Sequence, residues 1–215
     1  MTSLTEGKAG KALWLFTLPL LASSIFQQLY NIADTVIVGQ FVGEGALAAV
    51  GASYPITMIF TAVAMGCNIG CSVIISQLYG AGKKAQMKTA ISTSFIAFTA
   101  LALLLTGLGL ALAVPLMRML GTPTDVFDDS VVYLNIYIVG MAFVFLYNIA
   151  TGIFTAFGDS KTPLVFLIIS SVTNIGLDLL FVCVFHWGVG GAAWATVIAQ
   201  GLASIGCIFV LLVRL

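Results

Sequence analysis

Charge is the scarcest thing in this sequence. Only 7% of the 215 residues are charged, where a soluble domain carries roughly a quarter. The chain therefore cannot coat a water-facing surface, and membrane lipid must be its solvent. Eight acidic and eight basic residues cancel to a formal net charge of zero, and the missing basic face excludes nucleic acid as a partner. With one histidine, no GxSxG and no HExxH, no general base stands beside a metal or nucleophile, which argues against an intramembrane enzyme. Cysteine is sparse too. Cys67, Cys71, Cys183 and Cys207 all fall in apolar stretches and read as small, reduced core residues, not as a disulfide frame. Cys67 and Cys71 lie one helical turn apart, but a metal there needs further ligands and none is near in sequence. The first apolar run is too long for a signal peptide and lacks a small-x-small cleavage site, so no cleaved leader is expected.

What the chain does have is long apolar runs. Hydrophobic residues make up 60% of it, and the mean hydropathy is +1.14. A membrane span takes about 20 such residues. Six spans fit, at 13–39, 46–78, 89–116, 130–157, 163–186 and 191–213, after a tail at 1–12. Chemical breaks separate them: GQFVGEG, YGAGKKAQMK, RMLGTPTDVFDDS, GDSKTP and HWGVGG. Gly121 and Pro123 stop the third span, and Pro163 suits the first turn of the fifth. All six must be helices, because backbone groups in lipid are satisfied only within a helix or in a closed barrel. The runs lack the alternation of barrel strands. The expected fold is all-α, integral and six-spanning. Gly66 with Gly70, Gly107 with Ala111, and the run GVGGAAWA offer small residues for close helix contact.

Lys and Arg set the topology. With the N-terminus in the cytoplasm, the inner side holds Lys8, Lys11, Lys83, Lys84, Lys88, Lys161 and Arg214, and the outer side only Arg118. That follows the positive-inside rule and makes both termini cytoplasmic. Glu44, Asp125, Asp128 and Asp129 fall outside, and Glu6 and Asp159 inside. His186 lies at the outer boundary, anchored by Trp187. Two acids remain within spans: Asp34 and Asp178.

Each sits on a polar helix face. Gln27, Tyr30, Asn31 and Asp34 recur at i, i+3, i+4 and i+7 in the first span, and Ser171, Asn174 and Asp178 do so in the fifth. Such a stripe faces protein or a water-filled cavity, not lipid. Asn174 and Asp178 are one turn apart, so both reach a single small cation. Tyr133, Tyr137 and Asn148 share one side of the fourth span, and Thr196 and Gln200 one side of the sixth. Pro19 removes a backbone hydrogen bond from the first span and marks a static kink or a hinge. No Lys, Arg or His lies mid-span to pair with either acid. Each carboxyl is therefore protonated, or ionised beside a bound cation with oxygen ligands from Asn, Thr or Tyr. Na⁺ at Asp34, Asn174 and Asp178 is one form of the second case. A site that holds either ion is what an ion-coupled transporter needs. The bland alternative is a neutral, hydrogen-bonded acid pair that only fixes helix packing.

Over almost its whole length the chain resembles the N-terminal half of a multidrug and toxic compound extrusion (MATE) transporter. The resemblance rests on LPLLASSIFQQLYNIADTVIVGQFVGEGALAAVGASYPI, GDSKTPL, NIGLDLLF and GVGGAAWAT. It is nearest the prokaryotic branch whose amino-terminal lobe carries an acidic pair. The resemblance implies an antiporter of two six-helix lobes around a central cavity, in a prokaryotic inner membrane. Such a protein exports small organic, often cationic, compounds against H⁺ or Na⁺ and needs no cofactor. It implies an ion site of Asp34, Tyr133, Asn174, Asp178 and Thr196, a substrate cavity faced by Gln27, Tyr30, Asn31 and Tyr137, and bending at Pro19. The chain departs from the family in stopping at LLVRL, so the expected partner is a C-terminal six-helix lobe or a second copy of the chain. Two other readings are a lipid-linked oligosaccharide flippase of the same superfamily, whose cavity carries basic residues, and a truncated lobe that does not transport.

Overall fold

The computed structural model describes residues 9–214, with side chains from Leu13 onward except at position 15. Glu6, Lys8 and the side chain of Lys11 lie outside the described residues. All regular structure among the described residues is helical: α1 (Ala9–Phe41), α2 (Glu44–Gly80), α3 (Lys84–Met119), α4 (Phe127–Ala156), α5 (Lys161–Asp178) and α6 (Gly188–Arg214). Five of the expected spans overlap one helix each, and the fifth overlaps α5 and its π-helical extension, Leu179–Val184. The helices start earlier than the apolar runs do: α1 at Ala9, not 13, and α3 at Lys84, not 89. Lys, Gln and Glu are good helix formers, so the backbone coils before the sequence turns apolar. Helices α2, α3, α4, α5 with its extension, and α6 are long and apolar enough to cross a membrane. At 33 residues, α1 is long enough as well. Ile59, Ile69, Ile96, Leu103 and Leu104 are all exposed on α2 and α3, as lipid contact requires.

Helix α4 is the centre, packed mainly on α2 and α6 and then on α3, while α1 leans on α5, and α5 on α6. The sequence prepares α4 for this: Leu134, Ile138, Met141, Phe145, Ile149 and Ile153 are fully buried along it. The small residues that permit close approach are not all the expected ones. Gly66, Gly70 and Gly107 have open space around them. A small-x₃-small pattern fits any helix face, and these residues lie on faces that α4 does not cover. The close approaches are at Gly109, Gly140, Gly152 and Gly206. A Cβ at Gly140 would run into Val197 of α6, and one at Gly109 would lie 3.0 Å from Phe60. In GVGGAAWA, Gly191 is tight, 3.1 Å from the Trp187 side chain.

One end of the bundle holds the α4–α5 loop and the end of α6, bound by a clasp. The Arg214 guanidinium donates to Asp159 Oδ2 at 2.6 Å and lies 5.7 Å over the Phe154 ring. The same carboxylate accepts from the Thr162 hydroxyl at 2.7 Å and from the amides of Lys161 and Thr162 at 3.1 Å. Burial works against the Asp159 charge, but the Thr162 donors and Arg214 outweigh it and hold the carboxyl below the usual carboxylate range. Ser160 donates to the carbonyl of Phe16 at 3.0 Å, which ties α1 to the same loop. Gly158 supplies the left-handed residue (φ +75°) that turns the chain there.

Candidate functional site

The two intramembrane acids meet. Asp34 comes from the middle of α1 and Asp178 is the last residue of α5, and their carboxyls adjoin. Asp178 is completely buried, and Asn174, one turn before it, is 1% exposed. Tyr30 and Tyr133 lie in the neighbourhood of both acids. Tyr133 stacks on Tyr137, ring centroids 6.3 Å apart. Thr196 closes the cluster from α6. Asn174 Nδ2 donates to its hydroxyl at 3.3 Å, with Tyr30 nearby.

The chemistry of this cluster is set by where its protons point. A hydroxyl has one proton. That of Thr196 goes to the Ala192 carbonyl at 3.1 Å, so Thr196 can only accept from Asn174. One of the two Asn174 amide protons is thereby directed away from the acids. Asp34 Oδ1, both Asp178 oxygens and Asn174 Oδ1 are left buried without a hydrogen-bond partner in the protein. Two ionised carboxylates offer only acceptors to one another, so neither satisfies the other unless a proton or a cation lies between them. Buried acceptors in this number are costly when unmatched. Among the described residues no group of three His, Cys, Asp or Glu side chains is placed to hold a metal. The all-oxygen donor set suits a proton or a small hard cation.

The structure thus brings together Asp34, Tyr133, Asn174, Asp178 and Thr196, with Tyr30 and Tyr137 beside them. Gln27 and Asn31 stand apart. Both are exposed. Asn31 donates to Gln28 Oε1 at 3.2 Å and lines a shallow groove of about 250 Å³ with Gln28 and Thr35. It lies at the edge of the α1 polar stripe, turned from the acids. Asn148 donates to the Val144 carbonyl and Ser171 to that of Leu167, each at 2.8 Å within its own helix. Helix α1 runs unbroken through Pro19, whose carbonyl accepts from Ser23 at 2.8 Å.

Two features escaped sequence reasoning. Thr61 of α2 touches the Tyr137 hydroxyl at 3.4 Å. Immediately after Asp178, moreover, the helix widens to a π-helical turn, Leu179–Val184. Hydropathy continues smoothly through that turn, so nothing in the residue pattern marks it. Such turns often accompany functional residues. Beyond it, Phe181 stacks on Trp187 with centroids 4.9 Å apart, and His186 takes φ +53°.

Comparison with known proteins settles the family. The MatE family model matches residues 19–180. The chain belongs to the MatE family. Members of the MatE family are transporters, not enzymes. YpnP of Bacillus subtilis (strain 168), a probable multidrug resistance protein, is 32% identical over 205 residues, 95% of this chain and 46% of that protein. YoeA of the same organism, also a probable multidrug resistance protein, is 33% identical over 219 residues, 98% of this chain and 46% of its own length. A solved multidrug resistance MATE transporter of the MOP superfamily, in an outward-facing conformation, superposes with a TM-score of 0.91 at 28% identity. The match covers 97% of this chain and 46% of that one. The chain therefore spans about half the length of the MatE proteins it matches.

Proposed function

We propose that this chain is the amino-terminal lobe of an ion-coupled antiporter that exports small organic, often cationic, compounds by alternating access. The coupling ion is H⁺ or Na⁺, bound at Asp34 and Asp178 with Tyr133, Asn174 and Thr196. The lobe works with a second six-helix lobe or a second copy of the chain, in a prokaryotic inner membrane with both termini cytoplasmic. The observation that carries this reading is the buried Asp178 carboxyl adjoining the half-buried Asp34, with unpartnered buried oxygens on both and no basic residue mid-span.

The coupling follows from which helices hold the pair. Asp34 rides on α1, whose main neighbour is α5, and α5 carries Asp178. Two unit charges about 4 Å apart repel by roughly 4 kcal/mol at an effective dielectric of 20. When both acids are ionised and no ion is bound, that repulsion works against the α1–α5 contact. A proton or cation removes it. The ion thus shifts the lobe between two packings only because its affinity differs between them. Tyr30 and the exposed Gln27 and Asn31 lie on the same helix, so a movement of α1 that responds to the ion also moves the surface offered to the exported compound.

The test is dye export by the chain reconstituted in vesicles, driven by a pH or Na⁺ gradient. Transport lost in both Asp34→Asn and Asp178→Asn, with folding intact, is the expected result. Unchanged coupling in both variants would overturn the reading.

A further inference from the structure

Helix α1 carries two stripes of the same spacing side by side. Ser24, Gln28, Asn31 and Thr35 recur at i, i+4, i+7 and i+11, and so do Ile25, Leu29, Ile32 and Val36, each one residue further on. All of them are exposed. One residue turns an α-helix by about 100°, so the two stripes are neighbouring faces. The apolar face suits lipid. The polar face does not, because polar side chains mid-span are turned to protein, water or a ligand. Its hydroxyls are committed to the helix backbone: Ser24 donates to the Leu20 carbonyl at 3.2 Å and Thr35 to the Asn31 carbonyl at 2.7 Å. Its amides are not. Asn31 Nδ2 donates to Gln28 Oε1 at 3.2 Å, which holds the two side chains together. Asn31 Oδ1 and the Gln28 NH₂ group are left without a partner among the described residues. Reversing both amides leaves one carbonyl and one NH₂ group free all the same.

These amides stand in a concave place. Gln28, Asn31 and Thr35 form the polar side of the groove of about 250 Å³, and Ile32 and Val36 its apolar side. Whole ligand pockets run to about 300–1,000 Å³, so the groove takes one end of a drug-sized compound. Close packing of another helix calls for small residues, and Gln28 and Ile32 stand mid-groove instead. No charged side chain lies on either stripe. The groove therefore reads hydrogen-bonding groups and apolar shape, not charge.

We propose that Gln28 and Asn31 form a hydrogen-bonding subsite for the exported compound: the free amide carbonyl accepts from an amine or amide N–H on a flat aromatic molecule, whose ring lies along Ile32 and Val36. The subsite rests on the export reading above and names the class of compound that this face of α1 selects. Its consequence is a preference among compounds of equal charge. A site that hydrogen-bonds its ligand discriminates against an analogue without the matching group, because the site's own polar atoms then stay unpaired. Apolar bulk alone would give no such preference.

The experiment is equilibrium dialysis of the purified 215-residue chain in detergent against two monocations. Ethidium is flat and aromatic and carries aryl amines. Tetraphenylphosphonium has the same charge and no hydrogen-bonding group. Wild type is compared with Gln28→Met, Asn31→Leu and Ile32→Ala, and each is checked for its sedimentation. Gln28→Met and Asn31→Leu are each expected to weaken ethidium about fivefold, the scale of one hydrogen bond, and to leave tetraphenylphosphonium unchanged. A misfolded variant would lose both probes, so the unchanged one is the control. Ile32→Ala is expected to weaken ethidium as well, because the ring loses its apolar support. Equal losses of both probes in the amide variants, or no loss of either, would overturn the subsite and leave the export reading standing. A wild-type dimer that Gln28→Met turns into a monomer would give this face to a second copy of the chain, and would overturn the subsite too. A wild-type chain that binds neither probe would remove the substrate surface itself, and the subsite with it.

Discussion

The crossing of α4 over α6 sets the spacing of the site, and a single methyl group should spread it. Gly140 lies three residues after Tyr137, and Val197 follows Thr196 directly. A Cβ added at Gly140 would overlap Val197 Cγ2 outright and lie 3.1 Å from Cγ1 and 3.2 Å from Cβ. A flexible side chain would swing away. Valine in a helix has one strongly preferred rotamer, and Val197 is only 7% exposed, so the backbones must part. Overpacking of this kind costs about 1–3 kcal/mol, which for a chain of this size lowers the melting temperature by about 2–12 °C. A thiol-reactive dye reports the loss of structure, because Cys207 and Cys71 are buried in the core. The control is Val197→Ala. Alone it removes packing contacts worth on the order of 1 kcal/mol. Combined with Gly140→Ala it makes room for the new methyl, so the double variant should be more stable than the sum of the two losses allows. The parted helices would also carry Tyr137 and Thr196 away from the acids, so Gly140→Ala should weaken the pH response of the site. A melting temperature within about 1 °C of wild type for Gly140→Ala, or strict additivity in the double variant, would refute the packing argument.

Two other outcomes follow from the fold. Asp159 is held below the usual carboxylate range by the Thr162 donors and Arg214, against the effect of burial. Its contribution to stability is therefore present above the unfolded-state value near 4 and is lost as pH falls through the lower folded-state value. Asp159→Asn should cost about 1 kcal/mol at pH 7, Arg214 being partly exposed, and the gap to wild type in melting temperature should close in acid. A gap that persists at the lowest pH would refute this. Pro19→Ala restores a backbone hydrogen bond in a helix that is already continuous there, so it should raise the melting temperature. A lower one would show that the proline fixes a bend the packing needs.

The fold was largely legible because membrane helices must be long, apolar and internally hydrogen-bonded, and six runs met those terms. The centre of the site was legible for a related reason. An acid or amide in hydrocarbon is costly, so Asp34, Asn174 and Asp178 stood out, and helical spacing put Tyr30 on the Asp34 face. Tyr133 and Thr196 were weaker signals, given roles in ion binding only through the family resemblance. Threonine is ambiguous in a membrane helix, since its hydroxyl can bond its own backbone. Thr61 does that as well, so nothing in the sequence separates it from Thr57, which bonds only the carbonyl of Tyr54. The glycines misled for the opposite reason: their spacing is local, but which face meets a neighbour is decided by the whole bundle. Gly66 and Gly70 fit the pattern and stand open, while Gly140 and Gly206 fit no obvious pattern and are tight.

The account stands or falls on whether the acid pair holds an ion. The direct measurement is a Na⁺ titration of the purified chain across a range of pH, following tryptophan emission and melting temperature, beside Asp34→Asn and Asp178→Asn. The expected result is a saturable response to Na⁺ or, for a proton-only site, to pH alone, lost in both variants. If Na⁺ binds, acid should weaken it, because both ions use the same oxygens. A chain that responds to neither ion, or responds equally with either carboxylate removed, would mean that Asp34 and Asp178 serve packing alone.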